Sequence, residues 1–223
     1  MQHTVSKVLH HDVSAYAHEL RERSELLKRA RSGRVNGATV VRYLDGIRYL
    51  TEQSVRLLEL AAESSERRQQ PELAKHYWGK RNEESGHHLW AESDMRGLSK
   101  AFGVDASFER SPALEGLVAF LEREIAEAPV RYLAYALLAE YVTVAVGPDW
   151  MAALEGACGV SRSHLSVVDH HVRLDRDHVD EGLAELDRLA DASELGAMRE
   201  TVRVAILHLD RFSGELLEFA EAA

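Results

Sequence analysis

Hydrophobic residues recur at helical spacing along the whole chain, and no segment alternates polar and apolar residues as a strand would. Prolines and glycines mark helix ends: Pro71 and Pro112 suit first turns, and Gly103 suits a C-terminus. Gly147 and Pro148 should break the fifth helix. We predict an all-α protein that forms one domain over residues 1–223. Its seven helices are expected at 5–31, 39–66, 72–102, 112–128, 129–146 with a continuation to 157, 161–189 and 194–220.

The composition is that of an acidic globular protein. A chain of 223 residues can bury one sizeable core, and a formal net charge of -10 argues against a nucleic-acid partner. The most apolar stretch, 132–147, is shorter than the roughly 20 residues of a membrane span and contains Glu140. The only cysteine, Cys158, excludes an internal disulfide and is expected in a loop. We expect a cytoplasmic protein with no signal peptide and no membrane contact, and a homodimer on base rates.

The stretch HHVRLDRDH, residues 170–178, concentrates side chains that bind metals. His171, Asp175 and His178 are separated by four and three residues, so they share one helix face over two turns. Two imidazoles and a carboxylate in a row can bind a divalent transition metal. His170 and Asp177 point elsewhere on this geometry. A charge-rich helix face in solvent is the alternative interpretation.

Glu140 is the only charged residue between Tyr132 and Val146, and it is in line with Leu133 and Leu137 on the apolar face. Burial of an unpaired carboxylate costs on the order of several kcal/mol. Glu140 is therefore protonated, paired with a cation or bound to a metal.

The third predicted helix contains RNEESGHHLW, in which Glu84 and His87 are three residues apart and so lie side by side. The same acid-x-x-His spacing recurs at Asp175 and His178. Helical bundles hold two iron or manganese ions with such pairs. The spacing leaves open whether Glu83 replaces Glu84, whether His88 replaces His87, and whether these are only surface contacts.

Together the three helices offer three carboxylates, three imidazoles and no thiolate. That donor set argues against structural zinc and iron–sulfur clusters, and it suits iron or manganese with positions left for dioxygen. The candidate ligands are Glu84, His87, Glu140, His171, Asp175 and His178.

These motifs, EESGHHLWAESDMRGL, the lone glutamate of YALLAEYV, and H-x-x-x-D-x-x-H, resemble those of the heme-oxygenase-like diiron oxidase and oxygenase family in order and separation. The resemblance implies a seven-helix heme-oxygenase-like bundle that binds no heme. It implies that the six candidates hold two Fe(II) ions, with Glu140 as a bridge and dioxygen as cosubstrate; Mn is the alternative metal. Glu52 or Glu59 could add a ligand, and Tyr77 could line the substrate pocket.

The resemblance further implies a biosynthetic oxidoreductase that acts on an amino acid, an amine or a fatty acid, by N-oxygenation, desaturation or C–C cleavage. An external electron donor could supply electrons to such an enzyme. Three alternatives stay open: a ferritin-like dimetal carboxylate protein; a metal-free, thiaminase-like hydrolase or small-molecule binding protein, for which Cys158 is the candidate nucleophile; and a non-enzymatic helical interaction protein or iron carrier.

Overall fold

The computed structural model describes residues 4–222, so residues 1–3 and 223 of the predicted domain lie outside it. The described residues form α-helices and no strand. Three short 3₁₀ turns lie at Pro129–Arg131, Arg162–His164 and Ala192–Glu194. The helices are α1 (Val5–Arg23), α2 (Glu25–Arg31), α3 (Gly37–Arg67), α4 (Pro71–Glu84), α5 (His88–Phe102), α6 (Pro112–Glu127), α7 (Tyr132–Cys158), α8 (Ser166–Leu189) and α9 (Leu195–Ala222).

The predicted all-α class is confirmed, and the seven predicted helices map onto these nine segments. Two predicted helices are each interrupted once. The first is broken at Ser24, whose side chain accepts a hydrogen bond from the Leu27 amide at 3.3 Å and so starts α2. If each interrupted pair is counted as one helix, the expected number of seven is recovered.

The second interruption corrects the prediction of one continuous helix over residues 72–102. Helix α4 ends at Glu84, and α5 begins at His88. Gly86 between them has φ of +92°, a conformation that other residues adopt only at a cost. The backbone therefore turns within the ESGH segment.

The predicted break at Gly147 and Pro148 is wrong, because α7 continues through both residues to Cys158. A proline inside a helix costs about 3 kcal/mol, since it removes one hydrogen bond and crowds the preceding turn. Burial of Trp150, Met151 and Leu154 beyond the proline offsets that cost. The sixth predicted helix also starts later than expected. Ser161 caps only a 3₁₀ turn, and α8 begins at Ser166.

Helix α7 is the central element of the bundle and packs against α1, α2, α8 and α9. The segment Pro129–Cys158 is long and apolar enough to cross a membrane by length and composition alone, and 44% of its most apolar window is buried inside the bundle. On the opposite side of the bundle, α3 packs against α4, α5 and α6.

Helices α7 and α8 approach each other closely at Gly147. A methyl group added there would lie 2.7 Å from Cγ2 of Val172 on α8, well inside normal van der Waals contact. Because Val172 adjoins His171, this contact sets how near α7 lies to the part of α8 that carries the candidate ligands.

We predict that Gly147→Ala destabilises the protein by about 1–3 kcal/mol, because the new methyl group overpacks the α7–α8 contact. Gly156→Ala is the matched control in the same helix, since nothing lies within 4 Å of its added methyl group. The control should gain about 0.5–1 kcal/mol from the lower entropy of the unfolded chain. Thermal unfolding followed by circular dichroism measures both, and equal melting temperatures would contradict this account of the crossing.

Candidate metal centre

The first half of the candidate centre lies where α4 meets α5 and α8. His87 Nδ1 is 3.1 Å from Glu84 Oε2, across the break at Gly86. One ligand atom from each of Glu84, His87 and His171 lies within 4.8 Å of the other two. The rings of His87 and His171 stand nearly perpendicular, with centroids 5.0 Å apart. Glu84 at the end of α4, His87 in the turn before α5 and His171 on α8 thus bring three donors to one point.

The second half lies between α7 and α8. His178 Nδ1 is 3.5 Å from Asp175 Oδ1 and 3.9 Å from Glu140 Oε1. This nitrogen is buried and has no hydrogen-bond partner among the described residues. The Asp175 carboxylate beside this nitrogen raises the pKa of the His178 imidazole.

The two halves are close enough to act on each other electrostatically. Burial acts to raise the pKa of the Glu84 carboxyl, but its hydrogen bond to His87 and the nearby imidazoles outweigh burial. The pKa of Glu84 therefore lies below its ordinary value. The imidazoles that contribute are His87, His171 and His178, so they come from both halves.

The pKa of Glu140 is shifted in the opposite direction, above its ordinary value. Burial raises the pKa of its carboxyl to about 8, and the negative charges of Asp175 and Glu84 add to the rise. Lys80 and His178 oppose it only in part. The sequence prediction that this carboxylate is buried on the apolar face of its helix is consistent with its side-chain exposure of 18%.

In each candidate histidine of α8, the ring nitrogen that faces away from the cluster lies near an oxygen atom. His171 Nδ1–H donates to the Val167 carbonyl at 2.7 Å, which leaves Nε2 as its unprotonated nitrogen. His178 Nε2 is 3.6 Å from Glu83 Oε2 on the outer side. Such partners fix the tautomer and the ring plane of a metal-binding histidine.

Asp94 on α5 anchors the start of α8, a role that the sequence analysis did not assign. Its buried carboxylate accepts hydrogen bonds from Ser166 Oγ at 2.7 Å and from the Val167 amide at 2.8 Å. The carbonyl of Val167 in turn orients His171. A signal was present, because Asp94 interrupts the apolar face formed by Ala91, Met95 and Leu98 just as Glu140 interrupts its own.

The sequence left open whether Glu83 or Glu84, and whether His87 or His88, belongs to the cluster, and the structure places one residue of each pair there. His87 is 7% exposed and stacks on Trp90 with ring centroids 4.2 Å apart, whereas His88 is not part of the cluster. Glu84 lies in the cluster. Glu83 points outward and pairs with Lys80 at 3.2 Å.

The remaining candidates lie away from the cluster. Glu52 pairs with Arg48 at 3.2 Å near the surface, and neither Glu52 nor Glu59 lines the cavity beside the cluster. Tyr77 does line that cavity, and its hydroxyl donates to the Pro129 carbonyl at 2.6 Å. Cys158, expected in a loop, is instead the last residue of α7 because the helix runs on past Pro148. Its thiol donates to the Ala30 carbonyl at 3.3 Å.

A cavity of about 350 Å³ adjoins the cluster. Glu84, Glu140, His171 and Asp175 form part of its wall, and most other lining residues are apolar or aromatic. A largely apolar pocket with a few convergent polar groups is the usual form of a small-molecule site. The cluster therefore stands at the wall of a space that can hold a ligand.

The donor set fits a pair of divalent transition-metal ions. Three carboxylates neutralise most of the charge of two such ions, and the imidazoles supply nitrogen donors of the kind that iron and manganese accept. The first half would use Glu84, His87 and His171, and the second half would use Glu140, Asp175 and His178.

The similarity of this chain to known proteins concerns its fold. No family model matches the chain, and no curated protein matches it. Among solved structures, it is similar to the crystal structure of a domain of unknown function with a heme oxygenase-like fold from Shewanella denitrificans OS217. The TM-score is 0.83 at 19% identity, over 96% of this chain and 92% of the other. The chain thus has a heme oxygenase-like helical fold, as the sequence predicted.

We predict that metal-free protein loses stability as the pH rises from about 5 to 8, and that Glu140→Gln removes part of this loss. The ordinary pKa of glutamate is about 4.3, and that of Glu140 in the fold is about 8. In this interval the folded protein holds a proton that the unfolded chain has released, so a higher pH favours unfolding. One pKa unit corresponds to about 1.4 kcal/mol, so the difference between the two proteins should grow to a few kcal/mol.

Denaturant unfolding at several pH values in the presence of a chelator measures this difference. Glu155→Gln is the control, because Glu155 is exposed on the same helix. If the free energies of unfolding of wild type and Glu140→Gln change with pH in the same way, the pKa of Glu140 is not raised in the folded protein.

Proposed function

We propose that the protein is a nonheme diiron oxidase or oxygenase that uses dioxygen to oxidise a small organic substrate. The observation that carries the proposal is a group of three ligand atoms within 4.8 Å of one another, beside a second group in which a histidine lies near two carboxylates, at the wall of a largely apolar cavity. A purely structural charge cluster has no need of a ligand-sized space beside it.

In this proposal each half of the cluster holds one iron ion. When bound, two Fe(II) ions supply two electrons to dioxygen, and the other two needed to form water come from the substrate or from an external donor. Glu140 belongs to the second half and is the candidate for a shared ligand, because its carboxyl also interacts electrostatically with Glu84 of the first half. Its carboxyl would release its proton when the metals bind, since a cation then replaces the proton as the compensating charge.

The surrounding residues hold this arrangement in place. Asp94 and the Val167 carbonyl fix His171, and the Trp90 indole packs flat against His87. The cavity beside the cluster has a largely apolar wall, which strengthens the electrostatic interactions of the groups along it. These contacts support a centre of fixed geometry beside a space that can hold a ligand.

The alternatives fit less well. A ferritin-like protein would have a different bundle, whereas this chain has the heme oxygenase-like fold. The cavity of a Cys158-dependent hydrolase should include that thiol, but Cys158 is not among the cavity residues and is hydrogen-bonded to Ala30. Neither observation favours a second function.

We expect the metal-free protein to take up two Fe(II) ions per chain under anaerobic conditions. His171→Ala and His178→Ala each remove a ligand from one half, so each variant should bind about one ion or fewer. His88→Ala is the matched control, because His88 is a neighbouring histidine outside the cluster. Iron per chain after gel filtration and the metal-induced rise in melting temperature measure the result independently of activity.

Exposure of the loaded wild type to dioxygen should then cause an optical change, and the two ligand variants should lack it. If the wild type takes up no iron and its stability does not respond to Fe(II) or Mn(II), the diiron proposal is wrong. Loss of iron in His88→Ala but not in His171→Ala would contradict the assignment of ligands.

A further inference from the structure

A row of four contacts between acidic and basic side chains joins α4 to α8. The pairs are Glu72 with Arg188 at 3.4 Å, His76 with Glu185 at 3.8 Å, Lys80 with Glu181 at 3.7 Å, and Glu83 with His178 at 3.6 Å. Successive members on each helix are three or four residues apart, so each set lies on one helix face. His76 and Lys80 also line the cavity, and the row therefore forms part of its wall.

Lys80 is the member of this row that lies beside the second half of the candidate centre. Its side chain is only 12% exposed, and it lines the same cavity as Glu140. Its partner Glu181 adjoins Gly182, where an added methyl group would lie 3.7 Å from Glu140 Oε2. The contact between Lys80 and Glu181 is thus separated from the Glu140 carboxyl by little more than the α8 backbone.

The positive charge of Lys80 reaches two candidate ligands of this half. It acts to lower the pKa of both Glu140 and His178, although these residues belong to different helices. No other lysine and no arginine lines the cavity within the described part of the chain. In the first half, Glu84 has His87 as its only ion-pair partner among the described residues. The permanent cation of the cavity wall therefore acts on the second half.

Lys80 can move outward without leaving its acidic partners. It pairs with Glu83 at 3.2 Å as well as with Glu181, and the side chains of these two glutamates are 52% and 63% exposed. The lysine stem is flexible, so rotation can carry the ammonium toward solvent while α4 stays in place. Exposed ion pairs contribute little to stability, and their rearrangement should therefore cost little.

A metal ion in the second half would repel this ammonium, and this step rests on the proposed function. A divalent ion repels a neighbouring ammonium twice as strongly as a single charge does at the same distance. The energy of that repulsion reduces the affinity of this half for the ion, unless the ammonium moves away.

We propose that Lys80 is a positioning residue that controls the metal occupancy of the second half. Its ammonium opposes the ion there, and binding of that ion drives the ammonium outward onto Glu83 and Glu181. The first half therefore fills first, and the second ion binds more weakly than the first.

The charge is tested by anaerobic calorimetric titration with Fe(II) alone. Lys80→Met keeps the length of the side chain and removes its charge, so it should raise the affinity of the second ion about tenfold or more and leave the first ion unchanged. Lys80→Arg keeps the charge and should retain the weak second ion of the wild type. Lys75→Met is the matched control, because it removes the same charge from an exposed position on the same helix.

The outward movement is tested in the wild type, which avoids any question of whether a variant folds. Iron-free and iron-loaded protein are treated anaerobically with a limiting amount of an acetylating reagent, and acetylation of each lysine is measured by peptide mass spectrometry. Acetylation of Lys80 should become severalfold faster when iron is bound, whereas that of Lys75, which is exposed in the metal-free protein, should not change.

These results separate the role of Lys80 from the diiron proposal. Equal affinities for the two ions in the wild type, an unchanged or weaker second ion in Lys80→Met, or acetylation of Lys80 that does not rise with iron would overturn the role of Lys80 and leave the diiron proposal standing. Absence of iron uptake from both the wild type and Lys80→Met would overturn both. Melting temperatures and circular dichroism verify that the variants are folded.

Discussion

The structure depends on the burial of acidic side chains at the meeting point of α4, α7 and α8. A carboxylate in an apolar interior is unfavourable unless a proton, a cation or hydrogen bonds compensate for its charge. Here Glu140 and Asp175 face each other's helices, with Asp175 only 3% exposed. Lys80, whose positive charge opposes the rise in the pKa of Glu140, is also paired with Glu83 at 3.2 Å. Without a metal, protonation of Glu140 is therefore the main relief, as its raised pKa indicates.

Much of this could be predicted from the sequence, because burial leaves a signal in the pattern. Glu140 interrupts an apolar helix, and the four-then-three spacing of His171, Asp175 and His178 places them on one face whatever the ends of α8 are. Periodicity survives errors of a few residues at helix ends. For that reason the late start of α8 at Ser166 did not affect the predicted cluster.

The wrong predictions have two causes: long-range packing overrides a local rule at Pro148, whereas local turns at Ser24 and Gly86 divide helices that were predicted as continuous. Pro148 should end a helix, but the buried residues that follow it hold α7 together. Gly86 is tolerated inside many helices, yet here it turns the chain. The turn still leaves His87 Nδ1 3.1 Å from Glu84 Oε2, because side chains three residues apart in a tight turn lie as close together as on a helix. The turn thus brings Glu84 and His87 together, although the prediction had placed them on one continuous helix.

Helix α7 connects the candidate centre, the packing of α8 and the cavity wall. The same helix supplies Glu140 to the centre, Gly147 to the close contact with α8, and Trp150 to the cavity wall. Trp150 is about three turns of helix from Glu140, whereas Gly147 lies against Val172, the neighbour of His171. A likeness of fold at 19% identity does not fix a ligand. What this protein binds therefore has to be inferred from the residues of its own cavity wall, because those residues and not the fold decide which ligand fits.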